Sequence, residues 1–403
     1  MNLIFLTQSR ISDVNIRGIY TDLMRKFRDE GHNVYIVYPR ERQFHLSTSL
    51  YSDSGVHILG VKTLNLQKTN VVEKGIGTLL FEYEFTAAIK KYLKNVKFDL
   101  ILYSTPPVTF IKVIKYLKRK NPSALTYLLL KDIFPQNAVD IGMLSKSNPI
   151  YKYFRKKEIR LYNISDYIGC MSPANVEYVL KHNDIPNCKV EVNPNSIEVV
   201  SQDITNAERN EIRKKYGLPL DRPIFIYGGN LGKPQGIDFL IQCLQANINR
   251  TDCYFLIVGS GTEYEKLRQW FDKNKPKSAS LLSALPKEDY DKLVRNCDIG
   301  LIFLDRRFTI PNFPSRILSY LENKMPIIAA TDPNTDMGEI IYNNGFGYSC
   351  LHGDINKFNE LINRILVSNE EMKRMGEAGF EYLLRHYQVQ RSYQIIMEHC
   401  KKN

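Results

Sequence analysis

Cysteine is sparse and solitary in this 403-residue chain: seven residues, an odd number, stand at 170, 188, 243, 253, 297, 350 and 400 without a Cys-x-x-Cys pair. Such spacing excludes a disulfide framework and a cysteine zinc site, and points to reduced thiols in a cytosolic protein. No apolar run approaches the ~20 residues that a membrane-spanning helix requires. The first ten residues, MNLIFLTQSR, lack a basic segment ahead of their apolar run and read directly as a strand, so no signal peptide is expected. Repeats with a period of some tens of residues are missing, as are low-complexity tracts.

What is present is a globular composition, 43% hydrophobic and 24% charged. The length is too great for one ordinary core, and two domains are expected. The net charge of +12 is unevenly placed: residues 1–195 hold 28 Lys/Arg against 17 Asp/Glu, and the rest is near balance. A basic half beside a neutral half suggests one domain that faces an acidic partner. Nucleic acid, an anionic membrane surface and a phosphorylated acceptor all satisfy the charge.

Strand-like runs alternate with amphipathic segments throughout. NLIFLT, NVYIVY, FDLILYS, ALTYLLL, DYIGCMS and CKVEVN mark the first half, and RPIFIYGG, CYFLIVGS, CDIGLIFL and MPIIAAT the second. Short buried strands separated by helices imply an α/β fold with parallel sheets and right-handed crossovers. The Asn/Pro/Ser-rich segment after CKVEVN, followed by a charged helix, reads as an interdomain connection. The expected division is therefore residues 1–195, residues 196–385, and a terminal helix over 386–403 that crosses back to the first domain. In tandem doubly wound domains the ligand loops gather at the carboxyl ends of the sheets around one cleft.

Three loops of the second half follow strands and open helices. In FIYGGNLGKPQGIDFLI, Gly228-Gly229 lets the backbone turn tightly and approach a ligand, Gly236 precedes a helix N-terminus that favours an anion, and Lys233 adds a mobile positive charge. The stretch matches neither GxGxxG nor GxxxxGK(S/T), so the common dinucleotide and P-loop fingerprints do not apply. Gly259-Ser260-Gly261 repeats the strand-to-helix switch, and Ser315-Arg316 opens a helix after Pro314 with a hydroxyl and a guanidinium.

In this order, YGGNLGKPQG, IVGSGTE, ALPKEDYDKLVRNCDIGL and FPSRILSYLENKMPIIAATD resemble the nucleotide-sugar half of glycosyltransferase family 4. KDIFPQNAVDIGML is similar to the Asp-aromatic-Pro segment of the branch that builds bacterial O-antigen and capsule, including N-acetylfucosamine transferases. The resemblance implies the GT-B fold, two Rossmann-like domains facing a central cleft, with a UDP-sugar donor and no required metal or other cofactor. It places Gly229, Asn230, Lys233 and Gln235 in the pyrophosphate loop, Ser260 and Gly261 beside the nucleoside, and Ala284-Leu285-Pro286 at the base. Many members carry an arginine where this chain has Asn230, which leaves Lys233 and Arg316 to supply the positive charge. Arg17-Gly18 matches a glycine-bearing donor or acceptor loop, and Ser9 and Arg10 precede it at the cleft floor.

The chain departs from the family at the paired glutamates spaced E-x7-E, whose positions are Pro311 and Ser319 here. Glu322 lies one turn beyond Ser319 on the same helix face and becomes the candidate for the ribose. Without the first glutamate, Asp132, which follows a strand, is the first candidate for a general base, and Asp13 the second. Basic runs with aromatic edges, YKYFRKKEIRLYN, IKVIKYLKRK and IKKYLKNVK, suit an anionic membrane surface. No nucleic-acid module is visible. The expected activity is sugar transfer from a UDP-sugar to an undecaprenyl-diphosphate-linked saccharide during capsule or O-antigen assembly, by a cytoplasmic protein held at the inner face of the plasma membrane. A non-catalytic partner of an active transferase and a sugar-nucleotide epimerase of the same fold are the alternatives.

Overall fold

The first apolar run becomes β1 (Asn2–Leu6), the innermost strand of a parallel array, where every residue after Asn2 is buried. A computed structural model describes residues 1–66, 69–200 and 204–401. Around β1 lie β2 (Asn33–Glu41), β3 (Ser49–Asp53), β4 (Val56–Thr63), β5 (Leu100–Ser104), β6 (Leu125–Leu130), β7 (Tyr167–Cys170) and β8 (Val190–Val192). Their spatial order is β3-β4-β2-β1-β5-β6-β7-β8. Leu3 sits opposite Val34 on one side and Leu100 on the other, so the continuous apolar runs are those buried on both faces. The pairing is parallel except at the edge, where Asp53, Ser54 and Gly55 turn β3 back antiparallel onto β4. That hairpin departs from an all-parallel expectation, and its polar strand (SLYSD) alternates half-buried with exposed residues, as an edge strand does.

A second sheet holds β9 (Ile224–Asn230), β10 (Tyr254–Ser260), β11 (Ala279–Ser283), β12 (Ile299–Phe303), β13 (Ile327–Thr331) and β14 (Gly347–Leu351), in the order β11-β10-β9-β12-β13-β14. Its core gathers Phe225, Phe239, Phe255, Phe303 and Phe358, all at most 2% exposed.

The two sheets belong to two compact units, Met1–Glu198 together with the chain from Tyr387 onward, and Val199–His386. The return to the first unit is made by the helix Val389–Cys400, which packs on the helix Ile19–Asp29. Tyr393 meets Phe27 edge-on at 4.9 Å, Ser392 donates to the Asn193 side chain at 2.7 Å, and His399 reaches Glu191 at 2.9 Å.

Strand order reverses between β1 and β5 in the first sheet and between β9 and β12 in the second. In open α/β sheets the crevice beyond the carboxyl ends at such a reversal is where ligands bind.

Candidate functional site

In the second unit the reversal is lined by the ends of β9 and β12. Gly229 adopts φ +119°, which L side chains rarely take, and Gly236 adopts the left-handed conformation before the helix Ile237–Ala246. Asn230 and the backbone N–H of Gly232 both donate to the Gln235 side-chain oxygen, at 3.0 and 3.3 Å. Asn230 and Gln235 thus shape the loop, while Lys233 stands exposed at its tip with no ion pair among the described residues. The neighbouring loop is fused to it: Leu231 N–H donates to the Ser260 carbonyl at 2.9 Å, and Glu263 N–H to the Leu231 carbonyl at 2.9 Å. A Cβ on Gly259 would overlap the carbonyl of Gly229, and one on Gly261 that of Leu231, so both positions need glycine for backbone-to-backbone contact.

Arg316, first residue of the helix Arg316–Glu322, points back into this reversal. Its guanidinium carbon lies 4.2 Å from the centroid of the Tyr227 ring. Its Nη1 is buried without a hydrogen-bond partner. Burial works against the charge, the phenols of Tyr227, Tyr320 and Tyr290 favour it, and the net direction of its pKa is upward. The rings are themselves fixed. Tyr227 donates to the Asn230 carbonyl at 2.9 Å, and the Tyr320 hydroxyl accepts from Gly228 N–H at 3.3 Å. A cation beside aromatic rings, with its Nη1 unspent next to a glycine turn, can receive an anion.

Ser315 precedes that helix and is exposed, and its side chain makes no cap bond. Ala284 and Leu285 follow β11, next to the Ser260 loop, with Ala284 exposed. The Asp-x-Asp triplet Asp289-Tyr290-Asp291 lies on the helix Lys287–Arg295. Both carboxylates there are paired with lysines, Asp289 with Lys215 at 3.5 Å and Asp291 with Lys287.

In the first unit, Thr7 follows β1, Ser104 ends β5 and Thr105 follows it. The Ser104 hydroxyl reaches Thr7 Oγ1 at 3.4 Å. Asp132 follows β6 next door, and the backbone N–H groups of Lys131 and Asp132 approach Thr105 Oγ1 at 3.0 and 3.4 Å. Both carboxylate oxygens of Asp132 accept from Asn137 Nδ2 at 2.9 Å. Burial pushes its pKa up to about 6, against the bonds from Asn137 and the backbone. Tyr20 completes the cluster; burial lifts its phenol to about 12, with Ser104 opposing and the Asp132 charge adding. Lys131 donates to the Asn193 carbonyl at 3.0 Å, and burial draws its ammonium down to about 7. A carboxylate poised near neutrality at a strand end is what general-base chemistry requires.

Two family models match the chain, one described as "Glycosyltransferase Family 4" over residues 19–200 and one as "Glycosyl transferases group 1" over residues 208–382. The chain belongs to glycosyltransferase family 4. It is an enzyme of the glycosyltransferase class with a GT-B fold. Among curated proteins it is 21% identical over 307 residues to a "Probable glycosyltransferase WbjE" of Pseudomonas aeruginosa, covering 74% of this chain and 73% of the relative. Among solved structures it is similar to a sucrose-phosphate synthase of Thermosynechococcus elongatus, with a TM-score of 0.76 and 16% identity over 100% of this chain and 99% of that one. HepE of Anabaena, with UDP and glucose, gives a TM-score of 0.71 at 14% identity over 100% of both chains.

The remaining residues singled out in this family-4 chain have local partners. Asp13 accepts from Asn15 N–H at 2.8 Å and so closes its own turn, whereas Asp132 joins the Tyr20–Ser104 cluster. Arg17 donates to the Glu198 carbonyl at 2.8 Å, and Gly18 N–H to Asp22 at 2.9 Å. Ser9 is exposed and donates its N–H to Thr7 Oγ1 at 3.0 Å, and Arg10 lies over the Phe44 ring at 4.0 Å. Ser319 is half-buried on the Arg316 helix, and its carbonyl accepts from Asn323 at 2.7 Å. Glu322 accepts from Val200 N–H at 2.9 Å, which commits one oxygen to the start of the second unit. Pro311 is buried. Tyr20, Ser104, Thr105, Tyr290 and Tyr320 were not visible as site residues in sequence. Tyr320 shares a helix with Arg316, and the others sit on neighbouring strands or helices that only the folded sheet brings to the residues they support.

Proposed function

We propose that this transferase moves a sugar from a UDP-sugar to an undecaprenyl-diphosphate-linked saccharide in the assembly of bacterial capsule or O-antigen, working at the inner face of the plasma membrane. The observation that carries the donor half is Arg316, whose buried, unspent Nη1 lies in a phenol cage beside the positive-φ turn at Gly229. Pyrophosphate supplies the charge that such a receptor lacks. Solved neighbours support a nucleotide-sugar donor: HepE is described in complex with UDP-glucose, and a trehalose-6-phosphate structure from E. coli with UDP-2-fluoro glucose. Lys233 adds a second cation, Ser260 and Gly261 border the nucleoside, the backbone at Ala284 and Leu285 meets the base, and no metal is needed to bind the diphosphate.

The first unit supplies the acceptor chemistry. Asp132 takes the proton from the acceptor hydroxyl as that oxygen attacks the anomeric carbon. The bond from that carbon to the diphosphate oxygen breaks, and UDP leaves with its charge held by Arg316 and Lys233. The lipid-linked acceptor accounts for a first half whose basic surplus the second half lacks. No helix among the described residues is long and apolar enough to cross a membrane, so the lipid is met at a surface. The test is a panel of UDP-sugars with the purified protein, read by calorimetric binding and by UDP release with and without a short-chain lipid diphosphate saccharide. One donor should bind well ahead of the others and release UDP faster with acceptor. Binding without release would favour a non-catalytic partner, and loss of the donor without acceptor an epimerase-like reaction.

A further inference from the structure

The helix Val71–Tyr92 carries an apolar face that nothing among the described residues covers. Ile76, Leu79, Leu80 and Tyr83 are 48%, 54%, 42% and 58% exposed. Their spacing of three, four and seven residues places them in one stripe along the helix. The helix Pro149–Ile164 carries exposed apolar side chains of its own. There Ile150, Tyr153 and Ile159 are 53%, 41% and 40% exposed.

The two helices are tied together. Lys157 pairs with Glu82 at 2.7 Å, with both side chains largely buried. Lys112, on the helix Ile111–Lys120 between them, donates its backbone N–H to Glu82 at 2.9 Å and its ammonium to the Tyr83 hydroxyl. The basic residues of this surface therefore divide by role. Lys157 and Arg155 are structural, the latter held by Glu158 at 2.6 Å and by the carbonyl of His182 at 2.7 Å. Lys152, Lys156 and Arg160 recur every fourth residue, are exposed, and have no ion pair among the described residues. With Tyr151, Arg155 and Ile159 they line an open groove of about 440 Å³.

We propose that these helices form a bilayer-docking surface. Ile76, Leu79, Leu80 and Tyr83 enter the headgroup–acyl boundary, and Lys152, Lys156 and Arg160 take the phosphates of anionic lipids. This rests on the reading that the acceptor is lipid-linked and assigns the surface that reaches it. Charge chooses the occupant. The helix Ile111–Lys120 has five basic residues and no acidic one, and Pro149–Ile164 has five against one. An apolar stripe bordered by uncompensated cations matches an anionic interface, where apolar burial and electrostatic attraction add. A protein partner for the stripe would have to be strongly acidic at its rim.

The test is co-sedimentation of the full chain with vesicles of phosphatidylcholine alone and of phosphatidylcholine mixed with phosphatidylglycerol. Wild type should bind the mixed vesicles and be released in part by salt. Leu79→Gln with Leu80→Gln should weaken this binding by at least about tenfold at every salt concentration, because the loss is apolar. Lys152→Glu with Lys156→Glu should weaken it mainly at low salt. Both variants should keep the wild-type far-UV circular dichroism and UDP affinity. Mixed-vesicle binding unchanged by the leucine pair would overturn the assignment. So would self-association that the leucine pair abolishes without any vesicle binding, since the stripe would then be a contact between copies. Failure of UDP to bind wild type would remove the donor reading and leave the vesicle result standing.

Discussion

The guanidinium carbon of Arg316 lies 4.2 Å from the centroid of the Tyr227 ring, and this contact holds a cation beside the turn at Gly229. Lys233, the other candidate cation, is exposed and makes no ion pair among the described residues. Charge-assisted hydrogen bonds contribute about 1.5–3 kcal/mol, with buried ones at the upper end. Arg316→Ala should therefore weaken UDP binding by about tenfold to a hundredfold, and Lys233→Ala by less. Arg316→Lys should not restore affinity, because an ammonium has neither the planar face nor the fork. Calorimetric titration of UDP ranks the three; unchanged affinity in both alanine variants removes the assignment.

The glycine loops lend themselves to a paired stability measurement. Gly261 has no room: a Cβ there would overlap the Leu231 carbonyl in a loop pinned at both ends. Gly261→Ala should cost about 1–3 kcal/mol, as overpacking does. Gly75, inside the helix Val71–Tyr92, is exposed with nothing within 4 Å, so Gly75→Ala should add roughly 0.5–1 kcal/mol. Denaturant unfolding gives both signs from one assay. Gly261→Ala at wild-type stability would show that the two loops can separate without cost.

The strand pattern was legible where burial is complete on both faces. NLIFLT, FDLILYS and ALTYLLL are β1, β5 and β6, whose apolar runs admit no other reading once the flanking helices are periodic. The strands β3, β11 and β14 escaped because each is only five residues long and broken by polar side chains: SLYSD, ASLLS and GYSCL. The site was legible in part. The glycines, Lys233 and Arg316 suggest a phosphate loop in sequence, while the phenols around Arg316 come from β9, the helix Lys287–Arg295 and the Arg316 helix itself. The basic runs of the first half were visible as composition, yet Arg155 and Lys157 turn out to be ion-paired supports. Charge reversal at those two positions would test folding rather than lipid binding.

Glu322 separates two roles by experiment. Its hydrogen bond to Val200 N–H ties the start of the second unit to the Arg316 helix. Glu322→Ala should lower stability by about 1–2 kcal/mol, the cost of leaving a part-buried N–H without its carboxylate. If the residue serves only as this anchor, UDP affinity stays at the wild-type value. A ribose contact would show instead as weaker UDP binding in Glu322→Gln, which keeps the shape and loses the charge.

Asp132 offers the sharpest prediction, because burial sets both its kinetics and its linkage to stability. With its pKa raised to about 6 it is largely ionised at pH 7 and able to accept a proton. The rate should be flat above pH 7 and fall about tenfold per unit well below 6, as the base is protonated. The stability sign is opposite. A carboxyl whose folded pKa lies above the unfolded value near 4 binds its proton more tightly in the folded state. Stability therefore falls as pH rises from about 4 through 6. Asp132→Asn removes that ionisation and can still accept from Asn137 through its amide oxygen. The variant should unfold at an equal or higher temperature than wild type at pH 7.5, lose that advantage below pH 4, and bind UDP-sugar normally. Its turnover should drop by about 10²–10⁴, the usual loss of a general base. Turnover within a few-fold of wild type, with the acid limb of the pH profile intact, would remove Asp132 as the base. The departing diphosphate would then be the group that takes the acceptor proton, as in a retaining reaction.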